Sequence, residues 1–253
     1  MPELPDVEIF RRTAEKSRNK VIKKVRIYRN RMFKISDQSL RSNLEGSRFI
    51  EIERHGKYLF MGIDNSKWLI IHFGMTGNIY YTDAEADKSI LVINFEEGTK
   101  LSITSARKLG RIDLTESMEE FVKSLKLGPD AMKAGKEKFI EILGSSRGMI
   151  KNSLMNQNKI SGIGNIYADE ILYQTEIYPG KKIKNINEEI LSMMYENMLR
   201  IFDTAIKNNA IPDNFPENYL IHKRREGERC PGGEIKKIEI NGRPTYYCPG
   251  VQK

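Results

Sequence analysis

At 253 residues the chain is long enough for two modest domains or one large one, and 39% hydrophobic residues are enough to fill a core. Lys+Arg 42 against Asp+Glu 34 leaves a formal charge of +8, which suits a polyanionic partner such as DNA. No apolar run approaches the ~20 residues of a membrane span, the first residues lack the regions of a secretion signal, and two cysteines do not make a disulfide-stapled secreted scaffold, so a cytosolic location is expected.

The chain opens Met1-Pro2-Glu3-Leu4-Pro5-Asp6-Val7-Glu8. An amphipathic helix is predicted over 5–18, burying Val7, Ile9, Phe10 and Ala14. Small Pro2 after Met1 permits removal of Met1, which would leave a proline with a free secondary amine. Such an amine is a nucleophile toward an aldehyde carbon. With a pKa of ~7.7–8 against ~10.4 for a lysine, its free-base fraction at neutral pH is roughly a few hundred times larger. Glu3 stands beside it as a proton carrier. The same residues also read as a plain helix start with Pro5 in the first turn.

From about 20 to 114 the pattern changes to short strands. Val21 to Tyr28, Phe49 to Glu53, Tyr58 to Ile63, Trp68 to Phe73, Asn78 to Tyr81, Ile90 to Phe95, Leu101 to Thr104 and Arg111 to Leu114 lie between polar or glycine turns. Such a set suggests a sandwich or flattened barrel. Leu127-Gly128-Pro129-Asp130 breaks the pattern and marks a linker, giving domains at 1–128 and 129–253. Helices are predicted near 136–143, 147–155, 165–174 and 187–207. Toward the end, Ile235 to Ile240 and Thr245 to Cys248 flank Asn241-Gly242, a hairpin turn signal.

Four further stretches carry chemistry. In His55-Gly56-Lys57-Tyr58-Leu59 a glycine turn leads Lys57 into a strand. In His72-Phe73-Gly74-Met75-Thr76-Gly77 glycines on both sides put Met75 on an exposed tip, where a flexible apolar side chain can fill the hole left when a base leaves the stack. His72 could donate to a phosphate. Ser105-Ala106-Arg107-Lys108-Leu109-Gly110-Arg111 is a polar turn with Arg107 and Leu109 near its tip. Lys151 lies in Ile150-Lys151-Asn152-Ser153-Leu154, and Gly162-Ile163-Gly164-Asn165-Ile166-Tyr167-Ala168-Asp169-Glu170 follows. These read as two helices whose glycine loop lets the backbone approach a surface. The N–H groups at the start of the second helix make an anion site, to which Lys151 adds charge. Taken singly, each stretch also has a plain structural reading: a surface lysine, a core methionine, a packed helix pair.

Taken together and in this order, the blocks resemble the formamidopyrimidine-DNA glycosylase and endonuclease VIII family, across nearly the whole chain. The resemblance implies an α+β fold of two domains. These are an N-terminal helix with an eight-stranded β-sandwich, and a C-terminal helical domain with a helix–two-turn–helix and a β-hairpin finger (about 226–253). It implies a bifunctional DNA glycosylase and AP lyase that removes an oxidised base through a Schiff base and cuts the strand by β- and then δ-elimination. Catalysis would fall to Pro2, Glu3 and Lys57. DNA binding would fall to Lys57, His72, Met75, Arg107, Leu109, Lys151, Asn165 and Arg243, the last at the tip of the finger. The partner would be double-stranded DNA with damaged bases or abasic sites. The protein would be a monomer without cofactor or metal, cytoplasmic and nucleoid-associated if prokaryotic.

The chain also departs from the family pattern. Asp6 replaces the usual glutamate, and Ser105-Ala106 and Leu109 replace Asp-Pro and Phe. A leucine wedge keeps apolar area but cannot stack as a ring does, which puts the preferred opposite base in doubt. Where most members carry a four-cysteine zinc finger, only Cys230 and Cys248 remain. Two thiolates do not complete a tetrahedral site, so a zincless finger is expected; Cys230 and Cys248 could form a disulfide if close enough, but a cytosolic chain favours reduced thiols. The stretch from Asn208 to Arg225 is short, without the longer loop that closes over 8-oxoguanine in relatives, so that lesion need not be the main substrate. Three other readings stay open: a non-catalytic damaged-DNA-binding protein, a glycosylase for bulky or alkylated lesions, and an RNA- or ribosome-associated protein.

Overall fold

The computed structural model describes every residue except Arg29. The chain divides into two compact units, Met1–Pro2 with Asp6–Lys126 and Glu3–Pro5 with Leu127–Lys253.

In the first unit the order is α1 (Leu4–Glu15, its first two residues belonging to the second unit), β1 (Ile22–Ile27), α2 (Asp37–Leu44), β2 (Phe49–His55), β3 (Tyr58–Ile63), β4 (Trp68–His72), β5 (Gly77–Thr82), β6 (Ser89–Phe95), β7 (Lys100–Ser105), β8 (Arg111–Thr115) and α3 (Met118–Ser124). The strands form two antiparallel four-stranded sheets, ordered β1-β6-β7-β5 and β2-β3-β4-β8. Both sheets feed one core. Val25, Leu91, Ile93 and Ile103 come from the first, and Phe49, Leu59, Met61, Leu69, Ile71 and Ile112 from the second. Val7, Phe10 and Ala14 of α1 join them. The expected sandwich is therefore present, with all eight strands.

Two helices of this unit are absent from the sequence reading. α2 is short and starts at the Ser36 cap, whose side chain accepts from Ser39 N. α3 packs Phe121 on Phe60 and Ile70, which point away from the main core. That second layer explains why β3 and β4 read as nearly continuous apolar runs: both their faces are covered.

The second unit holds α4 (Lys136–Gly144), α5 (Ile150–Leu154), α6 (Asn165–Gln174), α7 (Glu188–Lys207), β9 (Arg229–Cys230), β10 (Gly233–Glu234), β11 (Lys236–Ile240) and β12 (Arg243–Tyr247). Its core is helical, built from Phe139, Leu143, Ile150, Leu154, Ile171, Met194, Met198 and Phe202 among others. α5 is shorter than the predicted 147–155. Gly148 sits at φ +95 and Met149 is extended, so the helix cannot begin before Ile150. β11 and β12 pair around Asn241 and Gly242, at φ 50 and 70; two left-handed residues make the turn whose twist suits a hairpin. No helix among the described residues is long and apolar enough to cross a membrane.

The expectation of reduced cysteines is overturned. Cys230 and Cys248 form a disulfide, with Cα atoms 6.1 Å apart. The β9–β10 turn and the chain after β12 meet so closely that a Cβ on Gly250 would lie 2.5 Å from the Gly232 carbonyl oxygen. The sulfur pair packs among Tyr173, Leu220, Ile235 and Tyr246. Compartment alone guided the earlier expectation, whereas proximity and an apolar setting decide the pairing.

Candidate functional site

Pro2 is half-buried and Met1 exposed in the first unit. Lys57 is the second residue of the β2–β3 turn, in which Gly56 adopts φ +55. The turn is held from below: buried Arg54 donates to the Gly56 carbonyl at 3.1 Å and to Glu8 of α1 at 3.2 Å. Burial raises the Glu8 carboxyl, but Arg11 and Arg54 more than offset it, leaving the group below its ordinary value. Lys57 itself is only 8% exposed.

His72 ends β4 opposite Tyr58, with ring centroids 4.7 Å apart. Burial, aided by the Lys57 charge, lowers its pKa to about 4. Its Nδ1 accepts from Gly74 N at 3.2 Å, which leaves the proton of the neutral ring on Nε2. The expected phosphate donor is thus a neutral N–H, not an imidazolium.

Met75 and Arg107 stand together and exposed. Arg107 Nη1 lies 3.4 Å from Met75 Sδ, and Arg107 N donates to Thr76 Oγ1 at 2.9 Å. Two glycines let their loops interlock. A Cβ on Gly74 would fall 0.9 Å from the Leu109 carbonyl oxygen, and one on Gly110 would fall 2.2 Å from that of His72. Leu109 is half-buried beside them. Ser105, in place of the family's aspartate, accepts Lys108 N at 3.2 Å through its hydroxyl and so keeps a capped turn.

The second unit arranges its charges inward. Glu3 is 2% exposed, and its carboxylate accepts from Gly164 N (2.8 Å), Ile166 N (2.9 Å) and Tyr167 N (3.2 Å) at the start of α6. Leu4 N donates to Gly162 O at 3.0 Å. The glycines that were expected to face an external surface face these residues. A Cβ on Gly164 would sit 2.3 Å from Glu3 Cδ, and one on Gly162 would sit 2.4 Å from Leu4 Cδ1. The anion site at the helix start is real in kind, and Glu3 occupies it.

Lys151 has no exposed surface, and its ammonium is turned inward. Its ammonium lies 2.7 Å from Asp169 Oδ1 and donates to Thr245 Oγ1 at 2.6 Å. Asp169 also takes the Arg224 fork, at 3.1 and 2.8 Å, and Tyr246 N at 3.3 Å. Burial pushes the Lys151 ammonium down and the Asp169 carboxyl up, and their contact opposes both shifts. Lys151 and Asp169 thus fasten α5 and α6 to the finger strand β12. Asn165 completes the attachment, its amide donating to Pro244 O at 3.0 Å. Next to it in sequence, Arg243 is exposed at the start of β12, as expected of a tip residue. Glu170 holds the segment after 215 by accepting from Leu220 N and Ile221 N.

Within the first unit, then, Met75, Arg107 and Leu109 form one group, and Lys57 lies near enough to bear on His72. Within the second, Lys151 and Asn165 both reach the hairpin that carries Arg243. Sequence reading missed Arg54, Asp169 and Arg224, all of which act through long-range contacts. A buried acid directly after Tyr167-Ala168 was the one usable signal for Asp169.

Comparison with known proteins gives consistent matches. Residues 1–112 match the formamidopyrimidine-DNA glycosylase N-terminal domain, and residues 126–215 match the H2TH domain of the same enzymes. A formamidopyrimidine-DNA glycosylase of Lactobacillus helveticus is 30% identical over the whole of this chain and 99% of its own length. One from Arabidopsis thaliana is also 30% identical, over the whole of this chain and 71% of its own. Among solved structures, Lactococcus lactis formamidopyrimidine-DNA glycosylase bound non-covalently to DNA with an AP site superposes with a TM-score of 0.87 at 30% identity, covering 99% of each chain. The Lactococcus lactis protein with DNA containing FAPY-dG superposes with a TM-score of 0.86 at 29% identity, covering 99% of this chain and 100% of that one.

Proposed function

The chain belongs to the formamidopyrimidine-DNA glycosylase family, and from that membership we propose that it is a bifunctional DNA glycosylase and AP lyase of base excision repair, acting on damaged bases and abasic sites in duplex DNA. Removal of Met1 frees the Pro2 nitrogen. Its lone pair attacks sugar C1′ as the bond from C1′ to the base breaks, and the base leaves with that electron pair and takes a proton. The attached nitrogen then gives up its N–H proton to Glu3, which hands it to O4′ as the C1′–O4′ bond breaks and the nitrogen lone pair closes the iminium (Schiff base). Loss of a C2′ proton then expels the 3′ phosphate, and δ-elimination expels the 5′ phosphate.

The observation that carries this reading is the clamp on Glu3. An acid with both carboxylate oxygens bonded to the first turn of α6 fixes the backbone immediately after the proposed nucleophile, which is what orientation catalysis requires. Lys57 is assigned to the lesion sugar and phosphates, Asn165 and exposed Arg243 to phosphates, and Met75, Arg107 and Leu109 to the gap left by the flipped nucleotide, where Arg107 and Leu109 also probe the opposite strand. Because phosphate contacts would dominate, affinity should fall steeply with salt.

Borohydride trapping on abasic-site duplex DNA tests it, with protein that begins at Pro2, protein that retains Met1, and a Pro2→Gly variant. The expected result is a covalent adduct that requires the free N-terminus and is diminished in the variant. Tight DNA binding without any adduct would sink the catalytic reading in favour of a damage sensor. An adduct that survives with Met1 retained would move the nucleophile to a lysine, Lys57 first.

A further inference from the structure

The exposed turn that carries Arg107 has no regular structure of its own, yet its backbone is held at several points. One of these holds is a side chain that neither the motifs nor the reaction above employ. Arg31 Nε donates to the Lys108 carbonyl at 3.0 Å, and Arg31 Nη2 donates to the Arg107 carbonyl at 3.1 Å. One planar guanidinium thus grips two successive peptide carbonyls, a geometry that its rigid fork of donors provides and a lysine ammonium does not.

The grip has a firm base. Met32, next in the chain, is fully buried, and its carbonyl accepts from Ile112 N at 2.8 Å; Lys34 N donates back to Ile112 O at 2.9 Å. The Asn30 side chain caps Met32 N at 2.9 Å. Residues 30–34 therefore form a strap across the start of β8, the strand that leaves the turn. The turn needs such support, because Lys108 occupies φ +51, a left-handed conformation that a lysine does not favour. Released from Arg31, the Arg107–Lys108 peptide can relax, and Arg107 loses its fixed place beside Met75.

We propose, on the base-excision reading given above, that Arg31 is a positioning residue for opposite-strand discrimination. By holding the Arg107 and Lys108 carbonyls it presents Arg107 and Leu109 to the unflipped strand from a pre-formed backbone. Preorganisation of this kind acts on selectivity between partners and not on the chemistry at the sugar.

The test uses Arg31→Ala and Arg31→Lys in full-length protein with a free Pro2. The readouts are kcat/KM on abasic duplexes with each of the four opposite bases, the rate on a single-stranded abasic oligonucleotide, and the salt dependence of duplex affinity. In Arg31→Ala the ratio between the best and worst opposite base should shrink by roughly tenfold, while the single-strand rate stays within about twofold of wild type. Arg31→Lys should behave like Arg31→Ala, since it keeps the charge and loses the fork. An unchanged ratio overturns the proposal. So does an equal loss on single strands, which marks a general structural role. A duplex salt slope reduced by about one in both log units is the signature of a direct phosphate contact and also overturns it. If wild-type protein forms no Schiff base at all, the base-excision reading fails first and this assignment falls with it, an outcome distinct from the other three.

Discussion

In the first unit, Met75 and Arg107 stand exposed on backbone that glycines and carbonyl contacts have fixed. In the second, Lys151 and Glu3 lie buried and bonded, at 0% and 2% exposure, although the sequence offers them as equally prominent charges. The contrast separates two ways in which a motif residue can serve a proposed DNA site. Residues of a loop that is held by its backbone can change identity at little expense to the fold, as half-buried Leu109 and buried Ser105 have relative to the family pattern. Buried charges cannot, because each is the counter-ion or cap of something else. A charged residue in a strong motif is therefore as readily a fastener as a contact.

The largest expected effect breaks a fastener. Lys151→Met removes one partner of a fully buried ion pair and leaves Asp169 with only the Arg224 fork and Tyr246 N, so urea unfolding should show a loss of roughly 3–4 kcal/mol. A loss under about 1 kcal/mol, in the range of an exposed pair, would erase the distinction between the two units. Next comes His72, the buried titrating group of the first unit. Its folded pKa of about 4 lies below the unfolded value of 6.5, so on acidification the unfolded chain takes up the proton first. Stability is complete above pH 6.5 and should fall by about 3 kcal/mol as pH drops through 4. Denaturation of His72→Asn at pH 7 and near pH 4 should show that share of the pH dependence gone.

An effect of similar size is expected from the finger. Reducing Cys230–Cys248 releases a loop with a sequence separation of 18, worth about 3 kcal/mol by the usual loop-closure argument. Dithiothreitol should therefore lower the thermal midpoint, and a chelator should not. The smallest belongs to the exposed loop. Ser105→Ala deletes the bond to Lys108 N, and about 1 kcal/mol is expected. Hydrogen exchange confined to residues 105–110 would detect it where global unfolding would not.

The strands were legible because alternation and turn residues are local. The eight predicted strands, the Asn241-Gly242 hairpin and α6 required nothing beyond their own neighbourhoods. Sheet order was not legible, since pairings such as β1 with β6 depend on non-local contacts. The same holds for the site. Exposure of Met75 followed from its flanking glycines, and the need for Gly164 followed from its type. That Gly164 makes room for Glu3, 161 positions away, is a tertiary fact with no local trace. The grip of Arg31 on residues 76 and 77 positions distant is equally invisible. α3 escaped notice because only a second apolar layer on β3 and β4 announces it.

The Glu3 clamp also works as a tether of known length. Consecutive Cα atoms are about 3.8 Å apart, so residue 2 is leashed within that distance of the Cα of Glu3, whose carboxylate is held by three peptide groups. Inserting a single residue between Pro2 and Glu3 would leave the fold and the amine chemically unchanged while doubling the leash. The residue-2 nitrogen, proposed above as the nucleophile, would then sweep a sphere of roughly eightfold greater volume, by the cube of the reach. On the proposed lyase reading the clamp thus sets an effective concentration for the Pro2 amine, and the spacing of one residue sets its value.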